Sequence, residues 1–302
     1  MSGHGPTVSV GIPVYNEEDS IGATIESVLE QQGPEFEIVI SDNASTDATA
    51  EICRDYAARD SRVRFHGLDR NAGLLANFNR VFLLSRGRYF RWLGASDRLR
   101  PGYMEQAVAA LDAAPDCVLV TTRYEYVTDD GAHLDAGWVP GPSGSEPLLR
   151  LQEILRILGT GYRNIDPMYS MMRRSALERT GLVRPIRLSD QLLAVELSLL
   201  GPYGHIARPL AVRQHPRFLS PTEAARIFDI PVPGSRLGLL VLCREMNRLI
   251  SESDLPPASR RAAQRAVSAH YVRRHLSIAG RRTRRVKSLI TSSRRPSPSI
   301  LP

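Results

Sequence analysis

From Val8 to Thr122 short apolar runs alternate with stretches of helical periodicity, and no other feature limits the possible folds as much. Residues 8–13, 36–41, 63–66, 88–93 and 117–122 read as strands. Between them Ile21, Ile25, Val28 and Leu29 share one helix face that stops at Gly33-Pro34. Ala50, Cys53, Tyr56 and Ala57 share another, and Leu74, Leu75, Phe78, Val81 and Phe82 form a strong stripe ending near Gly87. A fourth helix is expected over 103–114. Strands spaced by helices of this length imply βαβ units and a mostly parallel sheet. Such sheets collect ligands at the carboxyl ends of their strands.

The pattern loosens over 128–148, where Gly, Pro, Ser and Asp mark a loop. A helix over 149–158, a strand over 168–172, a helix over 188–200 closed by Gly201-Pro202, and a strand over 205–214 follow. Ser189 and Asp190 open the second of these helices, where a carboxylate is favoured by capping and dipole. The rest reads as helical to about Ile278, then as an Arg/Ser/Pro tail expected to lack regular structure.

The formal net charge of +7 belongs to one end of the chain. After Asp254 there are twelve Arg or Lys and no Asp or Glu, while the first 254 positions carry about −5. Such a tail suits either a solvated helix face or a contact with anionic lipid; it lacks the interleaved aromatics of a nucleic-acid module. No run of apolar residues is long enough for a membrane span, and the first residues carry no basic segment followed by an apolar run. Cys53, Cys117 and Cys243 are odd in number and far apart, as expected of core thiols in a reducing, cytoplasmic compartment.

Three strand ends carry polar clusters: Pro13-Val14-Tyr15-Asn16-Glu17, Asp42-Asn43-Ala44-Ser45-Thr46-Asp47, and Ser96-Asp97 within GRYFRWLGASDRLRP. No GxGxxG and no GxxxxGK[ST] occurs, which argues against a dinucleotide oxidoreductase and a P-loop enzyme. A carboxylate at the second strand end can accept hydrogen bonds from a base or ribose. One at the fourth can hold a hard divalent cation that in turn holds a diphosphate.

The segments SVGIPVYNEEDSIGATIESVLEQ, EIVISDNASTDAT, NAGLLANFNRVFLLSRGRYFRWLGASD and SDQLLAVELSLLGPYGHIARPLAVRQHP resemble successive motifs of the family 2 inverting glycosyltransferases of GT-A fold. The resemblance spans 7 to about 220. It implies an α/β, Rossmann-like, mostly parallel sheet flanked by helices, with a C-terminal helical extension. Residues 1–125 would form the nucleotide-sugar-binding half of the domain and 126–220 its acceptor-binding, catalytic half. Residues 221–280 would form the extension and 281–302 the basic tail. It further implies that Pro13, Tyr15, Glu17 and Asp42 hold the nucleoside end of a nucleotide-diphosphate sugar such as a UDP-sugar, that Asn71 and Gly73 form a turn near this donor, and that Ser96 and Asp97 face its diphosphate. Asp190 matches the family's catalytic base. Asp97 and His215 would be the protein ligands of Mn²⁺ or Mg²⁺, with His215 reaching the metal or the diphosphate.

The chain departs from the family at Gly94-Ala95-Ser96-Asp97, where Asp-x-Asp-Asp is usual, and at Ser189-Asp190, where Glu-Asp is usual. Fewer carboxylates leave His215 and arginines such as Arg98 or Arg213 to help neutralise the leaving group. The expected activity is inverting transfer of a sugar to a hydroxyl of a surface glycan, a lipid-linked intermediate or a natural product. The alternatives are a degenerate protein that binds nucleotide sugars without turnover, and a sugar nucleotidyltransferase. The acidic, glycine-free loop after the first strand counts against the latter.

Overall fold

The computed structural model describes residues 5–128, 130–135, 139–160, 167–214, 222, 223, 226 and 237–292, with side chains to Leu276. Four parallel strands come first in the chain: β1 (Val8–Val14), β2 (Phe36–Asp42), β3 (Val63–Gly67) and β4 (Tyr89–Trp92). β1 and β2 are buried at every residue, as expected of strands covered on both faces. They are joined by α1 (Ile21–Leu29), α2 (Thr49–Arg59) and α3 (Leu74–Leu84). Register aligns their ends: Val14 pairs with Asp42, and Asp42 with Gly67. Gly11 pairs with Trp92, and Leu93 N–H donates to the Gly11 carbonyl at 2.9 Å. The strand ends singled out in the sequence therefore share one edge.

The second half continues the sheet with β5 (Arg98–Leu99), β6 (Leu119–Val127), β7 (His133–Asp135), β8 (Met171–Arg173) and β9 (Tyr203–Gln214). The order is β3-β2-β1-β4-β8-β6-β9-β5, with β7 on the end of β6. β8 runs antiparallel to β4 and β6, β9 parallel to β6, and β5 antiparallel to β9. The β6–β9 pairing is bulged, with Thr122 opposite Ile206 but Tyr124 opposite Ala211; Pro209 sits inside the irregularity, where its missing N–H is tolerated. Helices α4 (Tyr103–Ala113), α5 (Pro147–Thr160), α6 (Arg174–Leu177), α7 (Ser189–Leu200), α8 (Gly238–Glu252) and α9 (Pro257–Ser292) complete the described elements.

Neighbouring strand residues feed different cores. Phe90, Leu119 and Met172 join one hydrophobic cluster, while Tyr89, Val120 and Met171 join the other, so the two lie on opposite faces of the sheet. One cluster receives α1, α2 and α4; the other receives α3, α5, α7, α8 and α9. Gly11 lets α3 lie close: a β-carbon there would stand 2.8 Å from the Phe90 ring and 2.9 Å from Val81.

Several boundaries differ from the sequence expectation. Residues 168–172 divide into a 3₁₀ turn, Pro167–Tyr169, and β8, with Ser170 N–H returning to the Pro167 carbonyl. β7 lies in the stretch expected to be loop, and the two-residue β5 has no periodicity to announce it. α9 continues to Ser292, past the expected end near Ile278; Arg and Lys are good helix formers once a helix is propagating. Residues 293–302 of the tail lie outside the described residues. The C-terminal helices share the second cluster instead of forming a core of their own.

His270 fastens α9 to α5, with Nδ1 2.9 Å from the Leu155 carbonyl and the ring 1% exposed. Burial pushes its pKa down to about 4, and the guanidinium of Arg274 acts in the same direction. The native ring stays neutral where the unfolded ring, near 6.5, takes up a proton, so stability is full above about pH 6.5 and is lost as pH falls toward about 4. Urea midpoints should therefore decline between about pH 7 and 4.5. His270→Asn should flatten part of that decline, the remainder including His205, which burial and Arg123 hold down to about 4. Parallel pH profiles for the two proteins would remove His270 from the effect.

Candidate functional site

The loops after β1 and β2 are bonded into one rim. Asn16 N–H donates to Ser45 Oγ at 2.9 Å, and Thr46 N–H donates to Asn16 Oδ1 at 2.8 Å. Glu17 N–H donates to Thr49 Oγ1 at 2.7 Å, while its carboxylate accepts from Ser20 Oγ at 2.9 Å. Pro13 pairs with Ser41 just beneath, and Tyr15 follows the end of β1 with 44% of its surface exposed. Asp42 is buried at the β2 end, where its carboxylate accepts the N–H of Ser45 at 3.2 Å and also its hydroxyl. Asn16 and Ala44 adopt positive φ angles of 53° and 62°. Asn tolerates that region; for Ala it stores strain of the kind found at binding sites.

Asn71 and Gly73 join this rim through Asn43. The Asn43 amide donates to Asn71 Oδ1 at 2.9 Å and accepts from Ala72 N–H at 2.8 Å, while Gly73 N–H returns to Asn71 Oδ1 at 2.8 Å. The turn is thereby set against the β2 end, with α3 starting directly after it. Asn77 in α3 then accepts from Ser41 Oγ at 2.6 Å and donates to the Ser41 carbonyl at 2.8 Å.

Asp97 lies beyond the end of β4, 5% exposed. Thr24 Oγ1 of α1 donates to the carbonyls of Ala95 and Asp97 at 2.7 and 2.9 Å, which fixes this turn. The Asp97 carboxylate accepts Arg213 Nε at 3.1 Å and Gln214 N–H at 3.2 Å. Strand register dictates this meeting, because the antiparallel pair Arg98–Val212 leaves Asp97 opposite Arg213. The Arg213 guanidinium lies 3.9 Å from the centre of the Tyr169 ring. Ser96 is half-buried in the same turn, and Arg98 is exposed.

Asp190 is half-buried in the first turn of α7. The approach to it is held from two sides. Ser189 Oγ accepts Arg184 N–H at 2.6 Å, and Asn79 of α3 exchanges two bonds with the backbone of Val183, at 2.8 and 3.0 Å. α7 also packs on the 3₁₀ turn that carries Tyr169. One helix, α3, therefore touches the β2 end beneath the rim through Asn77 and the Asp190 segment through Asn79. His215 lies outside the described residues.

The described residues do not fit a resident divalent cation. Gly94 and Ser96 supply no carboxylate, and that of Asp97 is already engaged by Arg213 and Gln214. Among the described residues no group of three or more His, Cys, Asp and Glu side chains is placed to hold a metal ion. A cavity of about 550 Å³ opens at the other, amino end of the sheet, lined in part by Gln31, Phe36, Arg62, Arg64 and Arg86. Its Arg62 and Arg64 are tied to Asp60 and Glu37, and none of the residues predicted for the site lines it.

Sequence reasoning thus named the residues of the rim and of the Asp97 turn, and left out the amides that position them. Asn77 is a polar residue within the apolar stripe of α3, a signal that the helical period contains. Asn43 adjoins the singled-out Asp42, whereas nothing in the sequence marks Asn79 or Tyr169.

Comparison with known proteins places this arrangement. The family model described as "Glycosyl transferase family 2" matches residues 9–181, more than half of the chain, and the chain belongs to that family. TuaG of Bacillus subtilis (strain 168) is 33% identical over 135 residues, covering 45% of this chain and 53% of that protein. The succinoglycan biosynthesis protein ExoO of Rhizobium meliloti (strain 1021) is 35% identical over 129 residues, 43% of this chain and 36% of ExoO. The chain thus spans about half, or less, of these curated relatives. Among solved structures, residues 1–349 of S. aureus TarS in complex with UDP-GlcNAc superimpose with a TM-score of 0.66 over 90% of this chain and 73% of that one, at 18% identity. At that identity the likeness concerns the fold, which is GT-A. Enzymes of this family and fold commonly use divalent cations.

Asn43 is 3% exposed, and its loss would remove its two bonds to the turn, one to Asn71 Oδ1 and one from Ala72 N–H. Asn43→Ala should lower stability by about 1–3 kcal/mol, from two hydrogen bonds at about 0.5–1.5 kcal/mol each. Urea denaturation measures this, and an unchanged midpoint would show that the turn needs no anchor.

Proposed function

We propose that the chain transfers a sugar from a nucleoside-diphosphate donor to an acceptor hydroxyl, with inversion at the anomeric carbon. The observation that carries this reading is the shared carboxyl edge of β1, β2 and β4, on which the hydrogen-bonded rim around Asp42 stands beside the Asp97 turn. Tyr15 offers a face for a base, and Asp42 and Glu17 offer acceptors for base or ribose. Pro13, Asn71 and Gly73 wall the donor, and Ser96 and Asp97 stand toward the diphosphate.

In the transfer, the acceptor oxygen forms its bond to the anomeric carbon as the bond from that carbon to the diphosphate breaks. The bonding pair leaves with the nucleoside diphosphate, and the hydroxyl proton passes to Asp190 as general base. No step is derived through a cation. The relatives support a UDP-sugar donor and an acceptor in polysaccharide assembly: ExoO is named for succinoglycan biosynthesis, and the TarS structure contains UDP-GlcNAc. A surface glycan, a lipid-linked intermediate or a natural product all present the hydroxyl that the reaction needs.

Incubation with a panel of nucleotide sugars tests the reading by release of nucleoside diphosphate. Asp190→Asn should reduce transfer by about 10²-fold or more, the range for loss of a general base, with donor binding near that of the parent. Unchanged transfer would remove Asp190 from the mechanism. The loss of carboxylates at Gly94 and Ser96 favours a second reading, binding without turnover. Donor binding with no release under any condition would decide for it.

We also propose that the basic C-terminal segment touches anionic membrane from the cytoplasmic side. Among the described residues no helix is long and apolar enough to cross a membrane. On α9, Val272 and Leu276 are exposed one turn apart beside Arg273 and Arg274. Such a combination supports surface contact, each basic residue contributing about 1 kcal/mol near anionic lipid. A chain ending at Gly280 should keep activity on a soluble acceptor and lose part of its sedimentation with phosphatidylserine vesicles at low salt. Equal sedimentation would exclude the residues beyond Gly280 as the contact.

A further inference from the structure

We propose that Arg213, held by Asp97, takes the place of the divalent cation as the positive charge facing the donor diphosphate, so that donor binding and transfer require no metal. The inference rests on the donor site described above and concerns what neutralises the leaving group there.

Three observations converge. First, a divalent ion is drawn to clustered carboxylates, and this turn keeps only Asp97. That carboxylate is within 3.1 Å of a guanidinium nitrogen and 3.2 Å of a backbone N–H. A cation binding there would have to displace Arg213 or sit beside a like charge, and both disfavour it. Second, the missing carboxylate and the ion pair are one feature. A β-carbon at Gly94 would stand 2.9 Å from Asp97 Oδ2, the oxygen that accepts from Arg213. The Asp usual at that position would therefore meet the Asp97 carboxylate in the orientation that pairs with Arg213. Third, Arg213 is positioned before any ligand arrives. Its side chain is 14% exposed, the Tyr169 ring lies 3.9 Å from it, and β9 is hydrogen-bonded to β6 on one side and β5 on the other. A guanidinium carries five N–H donors in a fixed fork suited to phosphate oxygens, whereas a hydrated ion must be gathered each time.

The chemistry balances without a co-reactant. As the anomeric carbon–oxygen bond breaks, its electron pair settles on the diphosphate oxygen, where the fixed charge of Arg213 meets it. The acceptor oxygen supplies the new bond and gives its proton to Asp190.

Calorimetry on the full chain tests this with UDP and GDP, using uridine and guanosine as diphosphate-free controls. Exhaustively chelated protein should bind one of the diphosphates, and added Mn²⁺ or Mg²⁺ should change the affinity less than about threefold. Arg213→Ala should weaken the diphosphate about 10–100-fold, the range for a bond to a charged group, and leave the matching nucleoside unaffected. Arg213→Lys, which keeps the charge, should recover part of the loss and guards against a variant that merely misfolds. Asp97→Asn, which loosens the hold on Arg213, should weaken cation-free diphosphate binding less than Arg213→Ala does and should create no response to Mn²⁺. A tenfold or greater gain on adding Mn²⁺ that disappears in Asp97→Asn would overturn the proposal, as would parent affinity in both Arg213 variants. If neither nucleosides nor diphosphates bind under any cation condition, the donor-site reading beneath it fails as well.

Discussion

The buried carboxamide of Asn77 ties the two halves of the molecule to a common reference. It is 2% exposed and sits between the ends of β1 and β2, bonding the Ser41 hydroxyl and carbonyl and reaching the Val14 carbonyl at 3.4 Å. An amide so buried is costly unless its bonds are met, so α3 has one rotation and one height on the sheet at which it is satisfied. Everything else on the helix inherits that setting. The Asn71–Gly73 turn at its start, the Asn79 clamp on Val183, and the contact of Phe78, Val81 and Phe82 with Phe90 and Trp92 are all read from the same position. Rigid elements of this kind hold a site more precisely than loops do.

Much of the parallel half was legible because its signals are local. The apolar runs of β1 and β2, the stripe of α3 and the stop at Gly33-Pro34 each depend on a few neighbouring residues, and the strand ends follow from them. The second half depends on contacts distant in sequence. β5 has two residues and exists through pairing with β9 more than a hundred positions later. The 3₁₀ turn at Pro167–Tyr169 interrupts a run that reads as a strand, with Ser170 N–H turned back to the Pro167 carbonyl at 3.1 Å.

The site divides in the same way. Asp42, Asp97 and Asp190 stand out as carboxylates at element ends, which composition and order reveal. What each carboxylate faces does not follow from order. The partner of Asp97 is separated from it by 116 positions and arrives through strand register, and Tyr169 stacks on that partner from a third element. Resemblance to the family led to a metal at this turn; the geometry around Gly94 and Asp97 changes the electrostatic problem that the turn solves.

The bulged pairing of β6 with β9 has a consequence for how this stretch can vary. Between the pairs Thr122–Ile206 and Tyr124–Ala211, β9 advances five residues while β6 advances two. Side chains alternate faces at every step, so the segment works like a reading frame for all that follows. Losing or gaining one residue between Ile206 and Ala211 would turn Arg213 to the far side of the sheet and bring Val212 or Gln214 opposite Asp97. A change of two would restore the facing but still leave Arg213 two positions from Asp97, so facing follows parity whereas the ion pair follows the exact count.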